Sequence, residues 1–153
     1  MRLQSKDYLL VGLQILLFFL YFLDFRILEL FIPEFVKNIG LMLTIIGGLI
    51  LLLALIQLNK NLSPFPTPKS GSRLIKNGLY KFVRHPIYSG ILLGFGGFAV
   101  YSSSGYRIMV CLLLYVLFSV KTRYEEKLLL KKYKGYSAYM DKTGKFFPKL
   151  SKN

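Results

Sequence analysis

Sixteen consecutive residues, Tyr8 to Leu23, and twenty more, Ile39 to Leu58, contain no charged side chain. Each run approaches the ~20 residues that a helix rising 1.5 Å per residue needs to cross about 30 Å of hydrocarbon. Lipid offers no water to backbone N–H and C=O groups, so helices are the structures such runs can form there. The apolar stretch that begins at Tyr8 reaches, past Asp24, to Phe25 and follows Arg2 and Lys6. It is longer than a signal h-region and lacks a small-x-small cleavage site, so it reads as a membrane helix. Ile87 to Tyr101 and Ile108 to Val120 are shorter, and the turn-like Ser102-Ser103-Ser104-Gly105 separates them as in a helical hairpin. Spans of ~15 residues need help from flanking side chains or a thinned bilayer. The expected fold is all-α and integral to the membrane, a single domain over 1–153. Its transmembrane helices are expected at about 8–25, 39–58, 86–103 and 106–121, with a connection over 59–85 and a tail over 122–153.

Charge orients the chain. Hydrophobic residues make up 54% of it, more than a soluble domain of this size hides, and 21 Lys and Arg face only 7 Asp and Glu. The segment 59–85 holds six basic residues and no acid, and 121–153 holds ten basic residues and three acids. Both are expected in the cytoplasm by the positive-inside pattern, and four crossings put the N-terminus there too. Arg26, Lys37 and Arg107 are left outside. This distribution fits an anionic membrane surface and argues against nucleic acid as the partner. One cysteine, Cys111, and one histidine, His85, leave neither an internal disulfide nor a metal-ligand cluster to build.

Ser63-Pro64-Phe65-Pro66-Thr67-Pro68 breaks any helix and begins the connection. No such breaker follows Val120, so the last helix should leave the bilayer and carry Glu125 and Glu126 just past its edge.

Two stretches could carry chemistry. In Gly78-Leu79-Tyr80-Lys81-Phe82-Val83-Arg84-His85-Pro86-Ile87-Tyr88-Ser89-Gly90, Pro86 suits the first turn of a membrane helix. Arg84 and His85 by themselves read as headgroup anchors; alternatively, they reinforce a helix N-terminus that attracts a carboxylate or phosphate. Glu125 and Glu126 by themselves read as a solvated face with ion pairs from Lys121 to Glu125 and around Arg123. The alternative is a carboxylate placed at the membrane edge to hold an ammonium or sugar hydroxyls.

Together these stretches form an ordered set: Gly78-x-Tyr80-x-x-x-Arg84-His85-Pro86-x-Tyr88-x-Gly90, Glu125-Glu126-x-x-Leu129, Tyr133, Tyr136, Tyr139 and Phe147-Pro148. The set resembles the isoprenylcysteine carboxyl methyltransferase family of membrane enzymes, and the related phospholipid N-methyltransferases share much of it. The resemblance runs from about Pro64 to Pro148 and implies S-adenosylmethionine as cofactor. It implies that Tyr80, His85, Pro86, Ile87, Tyr88 and Glu125 line the cofactor site, with Ser72, Arg73, Leu74 and Ile75 adding a backbone stretch. Arg84, Glu125 and Glu126 would supply the electrostatics of catalysis, with no covalent nucleophile and no metal. Where the prenylcysteine enzymes have an arginine for the substrate, one turn before the first glutamate, this sequence has Lys121, with Arg123 two residues later.

Methyl transfer from a sulfonium is an in-line displacement, which asks a protein to align the reactants and exclude water. A carboxylate acceptor needs no general base, whereas an amine must first lose a proton. These residues do not decide between the two; the resemblance to the isoprenylcysteine enzymes implies methylation of a carboxylate on a lipid-linked or hydrophobic acceptor. Methylation of a phospholipid amine and a non-catalytic protein that retains the scaffold are the alternatives. Gly90, Gly94, Gly96 and Gly97 are expected to let the third helix pack closely on a neighbour.

Overall fold

The computed structural model describes residues 2–23 and 27–149. Phe25, the expected end of the first span, Arg26 and the last four residues of the expected tail lie outside the described residues. Helix α1, Ser5–Phe22, starts where the Asp7 carboxylate accepts the backbone N–H of Gln4 at 2.7 Å. An acid in the first turn also suits the positive end of the helix dipole. Helix α2, Glu34–Leu58, begins five residues before the expected boundary at 39, directly after Pro33. Helix α3, Pro86–Tyr101, has Pro86 in its first turn, where a missing N–H leaves no bond unmade. Helix α4, Gly105–Lys132, is capped by the Ser104 hydroxyl, which accepts Arg107 N–H at 3.2 Å. A short α5, Tyr136–Lys142, follows; the sequence marked Tyr136 and Tyr139 but not the helix that carries them. Among the described residues there are isolated bridges but no strands, in keeping with the all-α expectation.

Helices α1, α2 and α4 are long and apolar enough to cross a membrane; α3, with 16 residues, is a shorter apolar helix. In α4 the charge-poor portion ends at Val120, and residues 121–132 carry seven charged side chains, too many for hydrocarbon. The helix therefore runs without interruption out of its apolar portion, as the missing breaker implied.

Glycine decides how closely α2 and α3 pack. A Cβ on Gly47 would lie 2.3 Å from the Gly94 nitrogen, and one on Gly97 would lie 2.6 Å from the Gly40 oxygen. Backbone meets backbone here, as in close membrane helix pairs. Gly90 sits equally tightly against Leu51, whereas Gly96 has nothing within 4 Å and takes no part. Helix α4 packs on the other side of α3, and α1 packs on α4. Tyr21, Ile91, Val110, Leu114 and Phe118 fill the small interior, and the Tyr21 hydroxyl donates to the Phe95 carbonyl at 2.7 Å. Most apolar surface faces outward: Phe19 is 62% and Ile56 63% exposed. Surface of that kind over whole helices needs lipid as solvent.

Candidate functional site

The connection between α2 and α3 is folded against the helix ends by named contacts. Asp7, fully buried, accepts the Thr67 backbone N–H at 3.0 Å and its hydroxyl at 2.9 Å. A buried carboxylate at the foot of an apolar helix is tolerated when it is hydrogen-bonded in this way. Asn61 pairs with the backbone of Arg73, and the Tyr133 hydroxyl donates to the Ser72 carbonyl at 2.7 Å. Gln57 accepts the Leu79 N–H at 2.9 Å, beside Gly78, whose φ of +57° is the left-handed turn conformation.

Further along, Arg84 and His85 lie beside the chain near Gly144: Arg84 N–H donates to the Gly144 carbonyl at 2.9 Å and His85 N–H to the Lys145 carbonyl at 3.2 Å. Glu126 then ties this strip to α4. Its Oε1 accepts Arg84 Nε at 2.8 Å and His85 Nε2 at 3.0 Å. Arg84 also donates to the carbonyls of Met140 and Thr143, so its guanidinium is committed to holding the fold. Removal from water would raise the Glu126 carboxyl, but hydrogen bonds from His85 and Arg84 outweigh it and hold the group at about 2.

Glu125 has a different environment. It accepts no hydrogen bond among the described residues, and its contact with His85 Nδ1 is 3.9 Å long. Enclosure is the largest influence and raises its carboxyl above the ordinary range, Glu126 adds to this, and His85 and Lys121 oppose it.

Two adjoining chambers share Tyr80, Arg84, His85 and Glu125 in their walls. The first lies under the connection and is closed by Ser72 to Ile75, Tyr133, Tyr136 and Tyr139. The second is lined by Gln14, Leu62, Ile87, Tyr88 and Lys121; Gln14 lies within the apolar run of α1 and Lys121 directly after that of α4. Lys121 is fully buried; its Nζ donates to Gln14 Oε1 at 2.5 Å and to the Pro64 carbonyl at 2.8 Å, and lies 5.5 Å from the Tyr88 ring centre. Tyr88 stacks on Phe118 at 4.5 Å, which seals the inner end. The Tyr80 and Tyr88 hydroxyls form no hydrogen bond among the described residues. Burial, then Glu125, raises the Tyr80 phenol, which stays a neutral donor.

The structure thus brings together most of the residues singled out from sequence. Ser72, Arg73, Leu74, Ile75, Tyr80, His85 and Glu125 line the first chamber; Tyr80, His85, Ile87, Tyr88, Lys121 and Glu125 line the second, and Arg84 borders both. Pro86 starts α3 and lines neither. Glu126 lies behind the wall as an anchor. Arg123, expected beside Lys121, is exposed on another face of α4, because residues two apart on a helix point about 200° apart. Asp7, Gln14 and the three tyrosines of the α4–α5 end went unassigned in the sequence reading. The signal for the first two was a polar residue within or beside an apolar run.

Fold and site together define an integral membrane protein whose helices and α2–α3 connection hold a two-chambered pocket, largely apolar in its lining, with Arg84, His85 and Glu125 in the shared wall. The chain belongs to the phospholipid methyltransferase family, whose model matches residues 36–135. It is 38% identical over 80 residues to an uncharacterized protein of Schizosaccharomyces pombe, a match covering 48% of this chain and 23% of that protein. Its fold is that of the solved eukaryotic intramembrane Ras methyltransferase, isoprenylcysteine carboxyl methyltransferase: the TM-score is 0.68 at 19% identity, covering 96% of this chain and 54% of that one. The chain thus spans about a quarter of the yeast relative and about half of the solved enzyme.

Proposed function

We propose that this chain is an S-adenosylmethionine-dependent methyltransferase acting on a carboxylate of a hydrophobic or lipid-linked acceptor, with its pocket, both termini and the 59–85 connection at the cytoplasmic face and α3 as a fourth crossing. The observation that carries this is the common wall of Tyr80, Arg84, His85 and Glu125 between a chamber under the α2–α3 connection and one beside the apolar helices α1 and α3. Reactants of opposite solubility can meet across such a wall.

The first chamber's donor set fits the cofactor: an underused carboxylate for a cation, tyrosine hydroxyls, and the backbone of Ser72 to Ile75 for a nucleoside. Bound there, S-adenosylmethionine supplies an electrophilic methyl group on a sulfonium. Glu125 offsets positive charge in a poorly hydrated space, where the attraction is stronger than in water. Glu126, Arg84 and His85 fix the wall on which Glu125 and Tyr88 act. Lys121, pinned by Gln14 and Pro64, gives an acceptor carboxylate a fixed cationic partner. With the cofactor held in the first chamber, transfer to a carboxylate would form an O–CH3 bond as the S–CH3 bond breaks, and would need no proton moved at the acceptor.

A second reading, methylation of a phospholipid amine, draws support from the family and from Glu125, which also lines the second chamber and could face an ammonium. Purified protein incubated with methyl-labelled cofactor and two acceptors, a prenylated cysteine free acid and phosphatidylethanolamine, tests both. Base-labile label on the first acceptor supports carboxyl transfer and label on the second supports the amine. Failure to label either, together with no binding of cofactor or its demethylated product, would leave only a scaffold.

A further inference from the structure

The face of α4 turned away from Glu125 bears an ordered stripe: Ile108, Leu112, Tyr115, Ser119 and Arg123 recur at helical spacing. Its inner part lines a groove against α3 formed by Leu92, Leu93, Gly96, Cys111 and Leu112, roofed by Phe146 and Phe147. At the charged end of α4 the groove opens onto Ser119, Arg123 and Lys145. Gly96, which makes no close helix contact, keeps the groove open.

We propose that this groove is a specific binding site for one anionic phospholipid of the bilayer leaflet on the side of the basic loop and tail. One acyl chain lies along α3 and α4 and the phosphate sits between Arg123 and Lys145. From Ser119 to Ile108 the helix rises about 16 Å, close to half of a ~30 Å hydrocarbon layer, so the apolar part is as deep as one leaflet. The order along the stripe, apolar then hydroxyl then cation, repeats the order of chain, ester and phosphate in a phospholipid. Charge selects the headgroup. Arg123 has no hydrogen bond or ion pair among the described residues; the Lys145 ammonium lies 5.9 Å from the Phe146 ring centre and has, as its one carboxylate contact, Glu126 at 4.0 Å, which is already taken by Arg84 and His85. Two neighbouring cations with so little neutralisation attract phosphate and repel a choline or ethanolamine group beside it. Lys121 and Glu125 lie on another face of α4, so this lipid is not the acceptor, and the site stands whether or not the chain transfers methyl groups.

The test uses the full chain in phosphatidylcholine bilayers carrying traces of photoactivatable phosphatidylglycerol or phosphatidylcholine, each with a diazirine in one tail. After irradiation, labelled residues are mapped by mass spectrometry. Phosphatidylglycerol is expected to label residues 92–96 and 111–115 at least threefold more than phosphatidylcholine does. Both lipids should label Leu49 and Leu52, on the exposed face of α2, equally. The pair Arg123→Gln and Lys145→Gln should abolish the preference, whereas Arg123→Lys with Lys145→Arg should keep it. Equal labelling of the groove by both lipids, or a preference that survives the glutamine pair, overturns the proposal. So does an unlabelled groove, the result if a helix of a second copy fills it.

Discussion

Glu126 Oε1 accepts a hydrogen bond from Arg84 Nε at 2.8 Å, joining the emerged part of α4 to the segment that leads into α3. Their side chains are only 9% and 11% exposed, so neither charge has water as an alternative partner. Removing Glu126 leaves the Arg84 guanidinium buried with only the Met140 and Thr143 carbonyls to offset its charge, and Glu126→Ala is expected to cost about 3 to 5 kcal/mol in the unfolding of detergent-solubilised protein. The pH dependence has a definite sign. The folded-state value of about 2 lies below the ordinary 4.5, so the stabilisation is present above 4.5 and is lost as pH falls toward 2. An acid titration followed by circular dichroism should therefore be shallower in Glu126→Gln than in the parent, and an equal slope would refute the assignment.

Glu125 is expected to behave in the opposite way. It has no hydrogen bond to lose, so Glu125→Gln should leave the unfolding midpoint unchanged or raise it. If it faces a cation, the same change should weaken S-adenosylmethionine about 10- to 100-fold, the range for a charged hydrogen bond, and weaken the uncharged-sulfur product less. Because enclosure raises its carboxyl, cofactor affinity in the parent should fall as pH is lowered through that raised value. Titration calorimetry at several pH values would read this as a slope that is absent in Glu125→Gln; a slope retained there would assign the dependence to another group.

On the proposed function, Lys121 belongs to the acceptor side of the pocket and not to the cofactor side. It lines only the second chamber, so Lys121→Met is expected to raise KM for a carboxylate acceptor by about 10-fold or more while cofactor affinity stays within twofold. Steady-state kinetics against acceptor concentration, with cofactor saturating, would check this. An amine acceptor should respond the other way, since losing a like charge favours it.

Much of this was legible in the sequence because it is local. Charge-free runs mark helices α1 and α2, and an uninterrupted helical pattern past Val120 carries Glu125 and Glu126 beyond the apolar segment. Gap-free counting from His85 leads back to Ser72 through Ile75, which do line the first chamber. What stayed hidden depends on contacts between distant parts of the chain. Nothing near Asp7 announces Thr67, sixty positions on, and nothing near Lys121 announces Gln14. Arg123 is the exception, for helical phase alone separates it from Lys121.

The glycine seam offers a test of the fold that is independent of chemistry, because Gly47 and Gly48 are neighbours with opposite surroundings. A Cβ at Gly47 would meet the Gly94 backbone at 2.3 Å, and backbone cannot swing aside; a Cβ at Gly48 meets nothing within 4 Å. Gly47→Ala should thus force α2 from α3 and destabilise by about 1 to 3 kcal/mol or more, as overpacking does. Gly48→Ala removes chain freedom from the unfolded helix and should stabilise by about 0.5 to 1 kcal/mol. The first change should also reach the pocket, since α2 ends in Gln57, which fixes Leu79, and Leu58, which lines both chambers. Unfolding in mixed micelles and cofactor titration on the same two variants would check both effects. If Gly47→Ala proved as benign as Gly48→Ala, the direct backbone packing of α2 on α3 would be wrong.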